Sequence, residues 1–206
     1  MCLTVVLDTN ALSKKSLEHT PAVKRLFELS NFQSIRIVLP EIVLKEFKRQ
    51  QCDELRDLSK KIEHNIGKFS KKASELNSHS QDILEESITS LAEAKQKIPD
   101  DSLIKSAVAK YITEVIKQNN ILEFPADLKQ FKAGFEAYFD NESLILDSKE
   151  RRSHIPDHII YAAILDVISN HDLAYHTVDN SKKKEVVVIT DDKLLSKRIM
   201  EHDCIS

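Results

Sequence analysis

LTVVLDTN, residues 3–10, and EVVVITDDK, residues 185–193, carry the reading of the fold. Each is a short apolar run rich in β-branched residues that stops at an acid. A run of that kind, without polar alternation, is the form a buried parallel strand takes. The second run leads directly into Leu194, Leu195 and Ile199, spaced for a helix. Between them, residues near 20–31 read as a helix and Ile35 to Leu39 as another buried strand. Pro40 then suits the first turn of a helix carrying Ile42, Val43, Leu44 and Phe47. Strands alternating with helices predict an α/β fold, a central parallel sheet flanked by helices. In such sheets the site lies at the carboxyl ends of the strands.

The middle of the chain follows another rhythm. Leu55, Leu58, Ile62, Ile66, Phe69, Ala73 and Leu76 recur at spacings of three and four, the stripe of a long amphipathic helix. Asn77 to Ser80 breaks it, and Ile83, Leu84, Ile88, Leu91 and Ile98 begin it again. Pro99 breaks it once more, with Asp101 or Ser102 expected to cap a third helix through Ile104, Val108, Ile112 and Val115. Residues 50–118 are therefore expected to be a helical insertion within one domain spanning 1–206. Helical character resumes near 126–139, and a further helix is expected over about 157–169.

The chain has 206 residues, a net charge of −3 and only two glycines. So few glycines exclude glycine-rich phosphate-binding loops and the dinucleotide fingerprint. The charge is neutral evidence on nucleic-acid binding, because cations bound at acidic sites offset carboxylates locally. Cys2, Cys52 and Cys204 are widely spaced, with no paired spacing; free thiols in a reducing cytosol are expected, and no structural zinc. No signal peptide and no membrane span is expected, so the expected location is cytoplasmic.

The acids at the strand ends carry the chemistry. Strand ends of a parallel sheet lie side by side, so Asp8 and the pair Asp191/Asp192 can converge although they lie far apart in sequence. Converging carboxylates repel unless protonated or bridged by a cation, and hard oxygen donors suit Mg²⁺ or Mn²⁺. Taken singly, each acid has an ordinary alternative as a helix cap. Two further elements weigh against that. In PEIVLKEF, residues 40–47, Glu46 sits one turn beyond Ile42 among apolar neighbours. In PDHIIYAAI, residues 156–164, Asp157 opens a helix whose Ile160, Ala163 and Ile164 are expected to be buried.

In the order and spacing of LDTN, PEIVLKEF, PDHIIYAAI and ITDDKLL, the chain resembles the PIN-domain family over about 1–50 and 140–206. The resemblance implies a metal-dependent endoribonuclease that hydrolyses RNA phosphodiester bonds to a 5′ phosphate and a 3′ hydroxyl. It places the family acids on Asp8, Glu46, Asp157 and Asp192, with Asp191 as an additional metal ligand and Asn10 and Thr190 as polar supports. Glu41, at the helix start, is the weaker candidate beside Glu46. Lys14, Lys15, Lys45, Lys48, Arg49, Arg151, Arg152 and His154 lie close to these acids in sequence and are expected at the RNA phosphates, with solvated surface charge as the alternative.

His154 and His158 are four apart, but Pro156 between them argues against a metal pair on one helix. Segment 48–79 carries eight Lys/Arg against five Asp/Glu, a mild excess that suits a nucleic-acid guide or a packing helix. Its apolar stripe suggests a homodimer. If the enzyme is a toxin, an inhibitor protein of the antitoxin kind is expected as partner. The competing reading is an idle PIN-like scaffold whose helical insertion binds RNA or a protein.

Overall fold

The structure is a computed structural model that describes residues 3–12, 17, 20–73, 75, 78–97, 99–139, 155–169 and 185–201. Four strands form one parallel sheet in the order β3-β2-β1-β4. They are β1 (Leu3–Leu7), β2 (Ile35–Pro40), β3 (Leu122–Phe124) and β4 (Glu185–Ile189). The helices are α1 (Pro21–Asn31), α2 (Glu41–Ala73), α3 (Ser78–Gln96), α4 (Asp101–Gln118), α5 (Leu128–Phe139), α6 (Ile155–Ser169) and α7 (Lys193–Glu201). This is the α/β arrangement expected from the two apolar runs. Val5, Val6, Leu7, Ile37, Val38 and Leu39 are buried to 2% exposure or less, as strands covered on both faces must be.

Three details depart from the sequence reading. Pro40 closes β2, where it pairs with Phe124, and α2 begins one residue later. β3 leaves no mark in the sequence: three residues are too few to show a period, and they form a strand only because β2 offers an edge. The cap of α4 is Asp100, whose carboxylate accepts from the Leu103 amide at 2.8 Å. Asp101 instead pairs with Lys105 at 2.8 Å and with Arg56. Arg56 comes first among the causes that hold the Asp101 carboxyl down at about 2.

Turns that usually take glycine are made here by other residues. Gln33 (φ 56°) and Asn120 (φ 50°) occupy the left-handed region just beyond α1 and α4. In each case the following amide reaches back to a helix carbonyl, Ser34 to Leu29 at 3.0 Å and Ile121 to Ile116 at 3.1 Å. That is the Schellman closure, and it turns the chain directly into β2 and β3.

The chain divides into two compact units. One comprises Met1–Phe47 with Ile112–Ser206 and the other Lys48–Tyr111. The second is helical, and Cys52, Ile104 and Val108 are buried within it. Cys52 is a free thiol, while Cys2 and Cys204 lie outside the described residues. Leu55, Leu58 and Phe69 of α2, by contrast, are exposed. No helix among the described residues is long and apolar enough to cross a membrane.

The two glycines predict substitutions of different outcome. A Cβ on Gly134 of α5 would lie 2.7 Å from Ile159 Cγ1 and 2.9 Å from Ile159 Cα, so α5 approaches the first turns of α6 as closely as backbone allows. A Cβ on Gly67 of α2 would meet nothing within 4 Å. Gly67→Ala is expected to stabilise by up to about 1 kcal/mol through helix propensity. Gly134→Ala gains the same propensity but overpacks a backbone contact, costing about 1–3 kcal/mol, and is expected to be neutral to destabilising. Urea denaturation of both variants reads the difference; a Gly134→Ala protein as stabilised as Gly67→Ala would refute the close approach.

Candidate active site

The register of the sheet builds the site. Leu7 of β1 pairs with Ile189 of β4, and the next amide, Asp8, donates to the Ile189 carbonyl at 3.0 Å. The two strands therefore end level, with Asp8 beside Thr190. On the other side Val6 pairs with Val38, so β2 ends alongside and sends its chain into α2, which carries Glu46.

Asp8 is 2% exposed, and both of its carboxylate oxygens are held. Oδ1 accepts from the Thr9 amide at 2.6 Å, and Oδ2 accepts from the Thr190 hydroxyl at 2.7 Å. The Thr9 hydroxyl donates to Glu46 Oε2 at 2.8 Å. The Thr190 hydroxyl in turn accepts from the Asp192 amide at 3.0 Å. Asp192 caps α7, its Oδ1 accepting from the Leu195 amide at 3.1 Å. Two threonines thus string three acids into one line: Glu46, Thr9, Asp8, Thr190, Asp192.

Burial is the main force on Asp8 and pushes its pKa above the ordinary 3.8. The Thr190 hydroxyl and the Thr9 amide act the other way by stabilising the ionised form, while the nearby Glu46 and Asp192 carboxylates push it up further. Three acids from distant parts of the chain therefore share one electrostatic environment. Among the described residues no three His, Cys, Asp or Glu side chains stand close enough together to hold a metal ion. The Glu46 and Asp192 carboxylates are within reach of the Asp8 charge and disfavour its ionised form.

Asp157 lies in the first turn of α6, half-buried, on a helix that packs against both β2 and α7. Asp191 is exposed. Asn10 is exposed as well, so the buried polar support beside Asp8 is Thr9, at 3% exposure. Sequence reading passes over Thr9; its only local signal is a hydroxyl directly after a strand-end acid. Glu41 serves elsewhere, accepting from the Ala126 amide at 2.9 Å and pairing with Lys45 at 2.6 Å. Lys45, the first of these influences, and then the Ala126 amide hold its carboxyl below the usual range. Lys45 and Arg49 are exposed, the latter 3.9 Å from Asp53. Surface pairs of this kind are weak, so a phosphate can compete for either cation. Lys14, Lys15, Arg151, Arg152 and His154 lie outside the described residues.

The acids stand at the carboxyl ends of β1 and of its neighbour β4, with further acids on the helices that follow, the place where open α/β sheets hold their sites. The sequence model of the PIN-domain family matches residues 5–194, and the chain belongs to that family. PIN domains are in general nucleases and typically use divalent metals. No curated protein and no solved structure matches the chain.

Proposed function

We propose that this chain is an endoribonuclease that hydrolyses RNA phosphodiester bonds with the help of Mg²⁺ or Mn²⁺. The observation that carries the reading is Asp8, a buried carboxylate standing between two others and held at both oxygens by threonine donors. Such an arrangement is costly to leave uncompensated, and a divalent cation offsets it. The donor chemistry fits: carboxylate oxygens are hard ligands, and those of Asp8 and Glu46 retain lone pairs beyond the bonds they accept from Thr9 and Thr190. Asp8, Glu46, Asp157 and Asp192 would hold the ion, with Asp191 at the rim. The chemistry supplied there is a bound water of lowered pKa and neutralised charge on the scissile phosphate.

The protein's own residues set the geometry. Thr190 fixes the Asp8 carboxylate and, through the Asp192 amide, the start of α7. Thr9 sets Glu46 against Asp8 although 37 residues separate hydroxyl and acceptor. Lys45 and Arg49 lie on the helix that carries Glu46 and are the described cations we assign to RNA phosphates.

Labelled single-stranded RNA and DNA incubated with Mn²⁺, Mg²⁺ or EDTA, beside Asp157→Asn, tests the reading. Metal-dependent RNA cleavage lost in the variant is expected. Cleavage of DNA alone would replace RNA as substrate. Absence of cleavage together with absence of Mn²⁺ binding by calorimetry would favour the idle scaffold. That second reading draws on exposed Leu55, Leu58 and Phe69 of α2, a stripe to which we also assign a second copy of the chain or an antitoxin-like inhibitor.

A further inference from the structure

An open cleft of about 310 Å³ lies between α5 and α6, lined among others by Lys129, Gln130, His158, Tyr161 and Asp166. Its volume is at the lower end of the roughly 300–1,000 Å³ of ligand pockets, room for one ring system and its substituents. It adjoins the acidic site through α6. His158 follows Asp157 directly, and Tyr161 stands one helical turn further along. Tyr161 is also tied to the other side of the site: Arg198 of α7, the helix capped by Asp192, lies over its ring at 5.9 Å from the centroid.

The polar groups of the cleft are arranged rather than scattered. Gln130 is 3% exposed and donates from Nε2 to Asp166 Oδ2 at 2.7 Å. Its own backbone amide is anchored to Asp127 Oδ1 at 2.9 Å. A side-chain amide held in this way fixes the Asp166 carboxylate, which offers acceptors only. Lys129, at the exposed start of α5, offers donors only. An aromatic ring to stack on, a fixed carboxylate and an ammonium group are the means by which proteins read a nucleobase on its hydrogen-bonding edge. Guanine fits this set best, since its adjacent imino and amino N–H groups face one carboxylate while its carbonyl oxygen suits the ammonium group.

We infer that the α5–α6 cleft takes a guanine base of the RNA, close in the strand to the scissile phosphate, with Tyr161 as stacking surface, Asp166 as acceptor and Lys129 as donor. The inference rests on the nuclease reading for its substrate and on the cleft alone for its base. Tyr161, Asp166 and Lys129 are then specificity residues, one to three turns along α6 from Asp157 or facing it from α5.

The test separates the two. The four nucleoside 5′-monophosphates are titrated into the whole protein in EDTA, with binding followed by calorimetry and amide chemical shifts. Guanosine monophosphate is expected to bind about tenfold to hundredfold tighter than the others, the range of one good bidentate contact, with shifts on α5 and α6. Asp166→Asn should remove that preference. Lys129→Ala, at an exposed position where folding is unaffected, should weaken guanine binding on its own. In cleavage assays Asp166→Asn should raise KM for guanine-containing RNA more than it lowers kcat. Equal binding of all four nucleotides, or a guanine preference that survives both substitutions, would overturn the inference while leaving metal-dependent cleavage intact. Guanine-selective binding in a protein that cleaves nothing would uphold the cleft and overturn the nuclease reading.

Discussion

Asp8→Asn is expected to lower RNA cleavage by about 10³-fold. A metal-bound phosphoryl oxygen is worth several kcal/mol of transition-state stabilisation, and each 1.36 kcal/mol is tenfold in rate. Asparagine keeps the size of the side chain and an oxygen to accept from the Thr9 amide or the Thr190 hydroxyl, so the loss is chemical rather than architectural. The same variant carries a stability signature of known sign. Burial raises the native pKa of Asp8 above the unfolded value of 3.8, so the native state holds its proton more tightly than the unfolded chain. Stability from this group is complete below 3.8 and is lost as pH rises through the raised native value. In chelator, the difference in Tm between variant and parent is therefore expected to move in favour of Asp8→Asn across that window. Added Mn²⁺ should reverse it by stabilising only the parent. A variant with full activity, or a Tm difference that moves the other way with pH, would remove Asp8 from the centre of the site.

Thr9→Val is expected to cost about 10–100-fold in cleavage and in Mn²⁺ affinity, the usual effect of losing a group that orients a metal ligand. Valine matches threonine in shape and keeps the backbone amide that Asp8 accepts from at 2.6 Å. What it lacks is the hydroxyl that donates to Glu46. Thr9→Ser restores that donor and should recover most of the loss, which a purely steric role would not predict. The measurement is kcat and KM beside calorimetric Mn²⁺ titration for the three proteins. Unchanged activity in Thr9→Val would mean that Glu46 is placed by α2 alone.

The acids are legible because each stands where a local pattern changes. Asp8 and Asp192 end apolar strand runs, Glu46 interrupts a buried helix face, and Asp157 follows proline in the first turn of a helix. The polar supports are half legible. Thr190 comes from the family resemblance, through the T-x-D turn it shares with Asp192, whereas Thr9 is hidden behind its exposed neighbour Asn10. Both residues follow Asp8 in the same turn, and only the direction of the chain leaving β1 decides which one faces Glu46.

By itself the sequence determined the types of the longer strands and helices, the parallel sheet, the helical middle segment and the candidate acids at the strand ends. Those properties follow from side-chain periodicity and from strand-end chemistry, and both are local. Tertiary structure alone decided that β1 and β4 end level, so that the Thr190 hydroxyl meets Asp8 across 182 residues. It also decided that the three residues of β3 form a strand, that Asp100 caps α4, and that Gln130 holds Asp166 beside a cleft. Each of these depends on register or on close approach between elements, as at Gly134 and Ile159, and a shift of one residue along either partner would undo it.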